Sequence, residues 1–310
     1  MWLVGTIIVL ILIIFFAIAA WKTYDIAIRT TPASKEKYRQ RSRDENDATI
    51  LQWYDQQSWQ VWQQQSEDQL TLKGYFLAGK EPQQPVVIVA HGYHHTHQQM
   101  AKYAKMFQQL GYQVLLPDSR GQGTSGGFHI GFGWQDRRDY LGWIQQVQQH
   151  CGQEVPIVLF GVSMGAATVL ATSGEQDLPA QVQAVIADCG FDQVYTQVRH
   201  RVLTKYHLIP EPTVWLASLL TKHFAHYRLQ DGNITGQVAK SKTPTLFIHG
   251  TEDNYVPLKS ERILYAACHA PKREYLVANA GHTQAYQQNT AEYFSQVKKF
   301  LSSYVKDSGK

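Results

Sequence analysis

Residues 156–172 read PIVLFGVSMGAATVLAT. The opening PIVLF is apolar without interruption, as expected of a strand buried on both faces of a parallel sheet. The closing AATVLAT is small and apolar and suits a helix packed on that sheet. Between them stands Gly161-Val162-Ser163-Met164-Gly165. A G-x-S-x-G step from strand to helix marks a sharp turn that lifts a serine hydroxyl clear of its surroundings. Glycine is needed where neighbouring backbone leaves no space for a Cβ. The helix N-terminus behind the serine favours negative charge there. Ser163 is therefore the candidate nucleophile.

Working outward, strands are predicted over 59–64, 70–77, 85–91, 112–117, 156–161, 182–188, 244–249 and 273–278. Helix-length segments lie at 97–110, 134–150, 164–173, 258–269 and 289–304. This alternation implies an α/β fold, a mostly parallel doubly wound sheet with helices on both sides. Chemistry in such sheets gathers at the carboxyl ends of strands. The connection from about 188 to 243 is too long for a bare loop. It carries Tyr195, Tyr206, Trp215, His223, Phe224 and Tyr227, and reads as a helical cap over about 191–240. A chain of 310 residues, 44% hydrophobic, is ample for one large core and excludes disorder by composition.

A serine hydroxyl needs a base, and the base an orienting carboxylate. Asp253 stands in HGTEDNYVP, just past the strand at 244–249, with Glu252 as the neighbouring alternative. His282 stands in NAGHT, past the strand at 273–278. Acyl chemistry also needs donors for a developing oxyanion. The backbone N–H of Met164 is one candidate, and that of Tyr93, in the His91-Gly92-Tyr93 loop, is the other. His94, His95 and His97 invite a metal reading that nothing else supports, and are expected as surface histidines at the site mouth. The segment 118–126 lacks the G-K-[ST] ending of a phosphate loop and is expected as a rigid turn walling the site. Cys151, Cys189 and Cys268 have neither disulfide-framework nor metal spacing and read as small buried residues. No cofactor or metal is expected.

The run WLVGTIIVLILIIFFAIAAW, residues 2–21, carries no charge. About 20 such residues span a hydrocarbon core, with tryptophans suited to its two interfaces. A signal peptide is the rival, with Ala17-Ile18-Ala19 as a cleavable stretch, but no Lys or Arg precedes the run. The expected organisation is a transmembrane anchor over 2–21, a basic juxtamembrane stalk over 22–47, and one catalytic domain over 48–305. The stalk holds Lys22, Arg29, Lys35, Lys37, Arg39, Arg41 and Arg43, against a net charge of only +4 for the chain. Anionic lipid is a partner for such a segment, and no nucleic-acid pattern appears. Taken alone, basic residues following the span place the catalytic domain in the cytoplasm.

HGYHHTH, DSRGQGTSGG, GVSMG, ADCGFD, the stretch near WLASLLTK, KTPTLFIHGTEDNYVP and AGH occur in that order. Together they resemble the α/β-hydrolase superfamily over about 48–305. More narrowly, the chain is similar to membrane-anchored or cell-surface serine hydrolases of Gram-positive bacteria, near the serine-aminopeptidase-like and dienelactone-hydrolase-like groups. The resemblance implies an acyl hydrolase acting on a small molecule, and its cell-surface members pull against the cytoplasmic orientation. Gln122 stands where that family usually has HG or a basic residue before Gly, a departure expected to touch a structural hydrogen bond and not the triad. Substrate does not carry over with fold. An ester, apolar, aromatic or anionic, fits an aromatic and partly basic cap. A peptidase for short peptides is the alternative and needs an acidic anchor for the substrate amine, with Glu175, Asp192 and Glu211 as candidates. A non-catalytic tethered binding module is the third reading.

Overall fold

The computed structural model of the protein describes residues 2–306. Its strands are β1 (Gln60–Gln65), β2 (Thr71–Leu77), β3 (Val86–Ala90), β4 (Gln113–Pro117), β5 (Ile157–Val162), β6 (Val182–Asp188), β7 (Thr245–Gly250) and β8 (Lys272–Val277). They form one sheet in the order β1-β2-β4-β3-β5-β6-β7-β8, antiparallel only where β2 meets β1 and β4. Every strand expected from the sequence is present within a residue or two. In the central strands the period-two alternation feeds two cores. Val86, Ile88, Ile157 and Leu159 pack on one side, while Val87, Val89, Val158 and Phe160 pack on the other. Each such side chain contributes roughly 1.5–3 kcal/mol by leaving water, which is why these runs carry no polar residue.

The chain reverses its winding between β3 and β5, which pair directly up to Ala90 and Gly161. That switch point opens a crevice at the carboxyl ends of the strands. Helices cover both faces, including α4 (Ala101–Gln109), α5 (Asp136–Cys151), α6 (Met164–Ser173), α10 (Leu258–Ala267) and α11 (Thr290–Tyr304). The insertion between β6 and β7 contains α7 (Val194–Tyr206), α8 (Thr213–Ala225) and the short α9 (Ile234–Val238), as the cap expectation required.

The amino-terminal segment departs from expectation. Helix α1 runs Trp2–Ala27, beyond the apolar stretch. Its residues up to Phe15 are exposed, but Ala20, Tyr24 and the following Ile28 are buried. Tyr24 and Trp21 lie against Phe224 of α8. The stalk expected over 22–47 is instead packed on the body of the α/β domain. Thr31 and Ser34 form a reciprocal cap with Pro32 in the first turn, and this starts α2 (Pro32–Asp44). One face of α2 turns inward: Ser42 Oγ accepts from Thr96 N at 2.9 Å, and Tyr38 stacks on His94 at 4.2 Å. Asn46 Nδ2, just beyond, donates to Gln98 O at 2.9 Å. The basic residues that suggested a stalk occupy mainly the outer face. A further helix, α3 (Ala48–Asp55), leads into β1.

Candidate active site

The turn after β5 shows why its glycines are required. A Cβ on Gly161 would lie 2.1 Å from Gly165 O, and one on Gly165 would lie 2.1 Å from Ala90 O. Ser163 between them is left-handed, with φ 57°, a conformation costing a non-glycine residue about 1–3 kcal/mol. Ser163 N donates to Asp188 O at 2.8 Å, and Ala167 N to Ser163 O at 3.0 Å, which latches the turn to β6 and to α6.

The structure brings the three predicted residues together. Ser163 Oγ lies 2.8 Å from His282 Nε2, and His282 Nδ1 donates to Asp253 Oδ2 at 2.7 Å. Asp253 Oδ1 accepts from Tyr255 N at 2.9 Å and Val256 N at 2.8 Å, which fixes the carboxylate. Glu252 is exposed and takes no part. This chain of groups can draw a proton from the serine hydroxyl and leave the positive charge beside a fixed carboxylate. The Met164 amide opens α6 next to Ser163, and Tyr93 follows Gly92 in the loop after β3; both residues line the same cavity.

Two residues that support the site, Tyr255 and His249, escaped the sequence reading, whereas Gln122 was singled out there for a structural hydrogen bond. Tyr255 stacks on the His282 ring at 4.6 Å, fixing its plane. Buried His249 donates from Nε2 to Val256 O at 2.9 Å, tightening the loop that carries Asp253; burial lowers its pKa. Gln122 is fully buried and accepts from His94 N at 2.8 Å, one residue beyond Tyr93. The only available signal for Gln122 was its unusual place in the motif.

The histidine trio is not at the surface, as the sequence suggested. His97 is buried and bonds Asp118 Oδ1 at 2.8 Å. His95 is buried between Tyr93 O at 2.9 Å and Glu45 at 2.7 Å. His94 is sandwiched between Tyr38 and Tyr93, and burial pushes its pKa down to about 3. The three rings serve different partners and do not converge on a common point.

Nor does the turn at 118–126 wall the cavity, since none of its residues lines it. It holds the loop after β3 from behind. Asp118 Oδ1 accepts from His97 N at 2.8 Å, and Ser119 N donates to His91 Nε2 at 3.0 Å. Cys189 and Cys268 are buried, as expected, and Cys151 half-buried. Among the described residues, Cys189, Asp253 and His282 offer metal-type donor atoms within 4.8 Å of one another. The hydrogen bond between Asp253 and His282 already engages two of these atoms, and burial holds the Cys189 thiol well above its ordinary pKa.

The cavity above Ser163 has a volume of about 630 Å³. Its walls come from the loop after β3, the loops after β7 and β8, cap helix α7, the end of α2 and, through Thr23, Ile26 and Ala27, the end of α1.

A doubly wound sheet of this order, with a serine turn after β5 and a cap before β7, is an α/β-hydrolase. The family described as serine aminopeptidase, S33, matches residues 81–236, half of the chain, and the protein belongs to that family. It is 29% identical over 232 residues to the uncharacterized protein YqkD of Bacillus subtilis, covering 75% of each chain. Among solved structures it resembles the Pyrococcus furiosus esterase Pf2001, with TM-score 0.63, 22% identity, and coverage of 81% of this chain and 92% of that one. It also resembles the Pyrococcus horikoshii acylaminoacyl peptidase, with TM-score 0.59, 16% identity, and coverage of 86% and 45%. These structural likenesses concern the fold alone.

Proposed function

We propose that the protein is a serine hydrolase that cleaves a carboxylic ester of a small molecule. Ser163 Oγ attacks the acyl carbon as His282 Nε2 takes the hydroxyl proton, and the tetrahedral oxyanion rests on the amides of Tyr93 and Met164. Collapse breaks the bond to the alkoxy oxygen, which leaves with the proton from His282. Water then repeats the sequence on the acyl-enzyme and releases the acid. Asp253 holds the imidazolium throughout. The observation that carries this reading is the unbroken hydrogen-bond chain from Ser163 through His282 to Asp253.

Ester is favoured over peptide because, among the described residues, the acids that line the cavity or that could hold a substrate amine are already engaged by other groups. Glu175 pairs with Arg137 and Arg138, Asp192 accepts from Ser260, and Glu211 meets Tyr195 and Arg199; none of the three lines the cavity. Glu45, the acidic residue among the described lining ones, is bound to Arg41 and His95. We read α1 as a single-pass anchor over 2–21, supported by one helix long and apolar enough to cross a bilayer. The catalytic domain with its cap at 191–240 then sits against that anchor, and 22–47 is part of its body.

The test is a fluorophosphonate probe and nitrophenyl esters, with aminoacyl nitroanilides alongside. Wild type should label and cleave the esters. Ser163→Ala should not label and should lose up to about a millionfold in kcat. Retention of a tenth of wild-type turnover refutes the assignment, and faster cleavage of the anilides favours the peptidase.

A further inference from the structure

The charges lining the cavity are unbalanced. Among the described residues, Arg41, Lys102, Arg201 and Lys205 face a single lining carboxylate, Glu45. That carboxylate is already committed: burial works to raise its pKa, yet hydrogen bonds from His95 and Arg41 hold it down at about 2. Among the described residues, none of Lys102, Arg201 and Lys205 has a carboxylate within ion-pair distance. They are held by rings instead. Arg201 lies over Tyr255 at 4.0 Å, Lys205 over Tyr206 at 5.5 Å, and Lys102 over Tyr103 at 5.1 Å. Lys102 and Arg201 are half-buried, while Arg41 and Lys205 are exposed at the rim. Half-buried cations without counter-charges are unfavourable alone and favourable where an anion is received, and the exposed pair adds longer-range attraction.

The cations come from separate elements yet act on common neighbours. Arg41 on α2 and Arg201 on α7 both lower the pKa of Tyr255, against the larger effect of burial that raises it. Arg41 and Lys205 both add to the lowering of His94 that burial begins. Two chain segments far apart in sequence therefore place positive charge over one end of the cavity. Tyr255 identifies that end, because its ring also stacks on His282. His282 is the group that would protonate the departing alcohol, so the alcohol half of an ester lies on this side.

Resting on the ester-hydrolase reading, we infer that the substrate is an ester whose alcohol half carries an anionic group, a carboxylate or phosphate, bound by Arg201 with Arg41 and Lys205. Such an ester could be dissolved in water or held in a lipid phase. The presence of Thr23, Ile26 and Ala27 from the end of α1 in the cavity wall makes the second source worth a separate arm.

The experiment uses the full chain in neutral detergent and measures kcat/KM for two matched pairs. The water-borne pair is the butanoate ester of para-hydroxybenzoate against that of para-hydroxybenzamide. The lipid pair is oleoyl glycerol phosphate against monooleoyl glycerol in mixed micelles. A charge-assisted contact predicts an anionic-over-neutral ratio of about tenfold or more at low salt, shrinking as salt is added. Arg201→Gln should bring the ratio to within about threefold of unity, Arg201→Lys should retain most of it, and Lys222→Gln, on the cap but outside the cavity, should leave it unchanged. Preference in the first pair alone identifies a dissolved substrate, and preference in the lipid pair identifies a membrane one. A ratio near one in both pairs, or a preference that Arg201→Gln leaves intact, overturns the inference. Fluorophosphonate labelling of wild type keeps the two layers apart. Labelling without charge preference rejects the anionic substrate only, whereas failure to label rejects the hydrolase reading beneath it.

Discussion

Gln122→Met separates the stability of the loop after β3 from its catalytic placement. Methionine matches glutamine in length and shape, so no cavity opens, but it cannot accept the 2.8 Å hydrogen bond from His94 N. His94 is held at φ 59°, a left-handed conformation that costs about 1–3 kcal/mol and persists only when surroundings enforce it. Losing the acceptor strands a buried N–H, at about 1–3 kcal/mol. An opposite effect of the same size comes from Gln122 Nε2, which is buried with no acceptor among the described residues and disappears in the variant. The two nearly cancel, so denaturant unfolding should shift by less than about 1.5 kcal/mol. Catalysis has no such cancellation. With His94 free to relax, the Tyr93 amide next to it leaves its position. Full loss of an oxyanion donor costs about a hundred- to a thousandfold, and displacement should cost about ten- to a hundredfold in kcat. Stopped-flow turnover of a nitrophenyl ester, normalised to fluorophosphonate-titrated sites, measures it. A kcat within twofold of wild type would refute the reasoning.

Asp253→Asn keeps an oxygen for the amides of Tyr255 and Val256 but turns an NH₂ toward His282 Nδ1. The imidazole then adopts the wrong tautomer, and kcat should fall by about ten-thousandfold, while Glu252→Gln stays within about twofold; parallel steady-state kinetics showing the reverse ranking would assign the acid to Glu252. Burial pushes the Asp188 carboxyl up to about 6, from an ordinary 3.8, with Tyr293 OH donating to it at 2.9 Å. Its ionisation in the folded state therefore opposes folding, negligibly below about pH 4 and fully above about pH 6. Asp188→Asn should gain stability over wild type, with the gap wider at pH 8 than at pH 5 by about 1 kcal/mol in urea unfolding; a gap that stays constant would mean the carboxyl titrates normally.

Legibility in the sequence followed the range of the interactions concerned. The strands could be read because a strand buried on both faces must be apolar throughout, as VVIVA in β3 is. Ser163, Asp253 and His282 could be placed because each stands in the turn or loop after a strand, and strand ends in this fold converge. Tyr255 acts through a ring stack on His282, 27 positions away, and His249 through a backbone carbonyl within its own loop, neither of which an apolar or motif pattern records. Gln122 showed only as a departure within its motif, and its partner, the His94 amide, lies 28 positions earlier. His94 and His95 looked exposed because the covering groups, Tyr38 and Glu45, lie about 50 positions earlier. The segment 22–47 looked like a stalk because its composition is charged. The Thr31-Pro32-x-Ser34 cap was the legible sign of an ordered helix there, and a charged outer face does not prevent an inner one from packing.

That packing changes where the site begins. Three consecutive residues of the loop that carries the proposed oxyanion donor are held by the amino-terminal segment. Tyr93 OH donates to Ile26 O at 2.9 Å and Ala27 O at 3.1 Å. His94 stacks on Tyr38, and His95 bonds Glu45. The last carbonyls of a helix lack partners within it, so the tyrosine hydroxyl both satisfies the end of α1 and fixes the loop against it. From the other side the same loop is held by Asp118, Ser119 and Gln122. Clamped between two segments, it has little freedom to place its amide anywhere else, which is the preorganisation that oxyanion stabilisation requires. The helix read as an anchor and the chemistry read at Ser163 are thus joined by direct contacts, with no flexible tether between them.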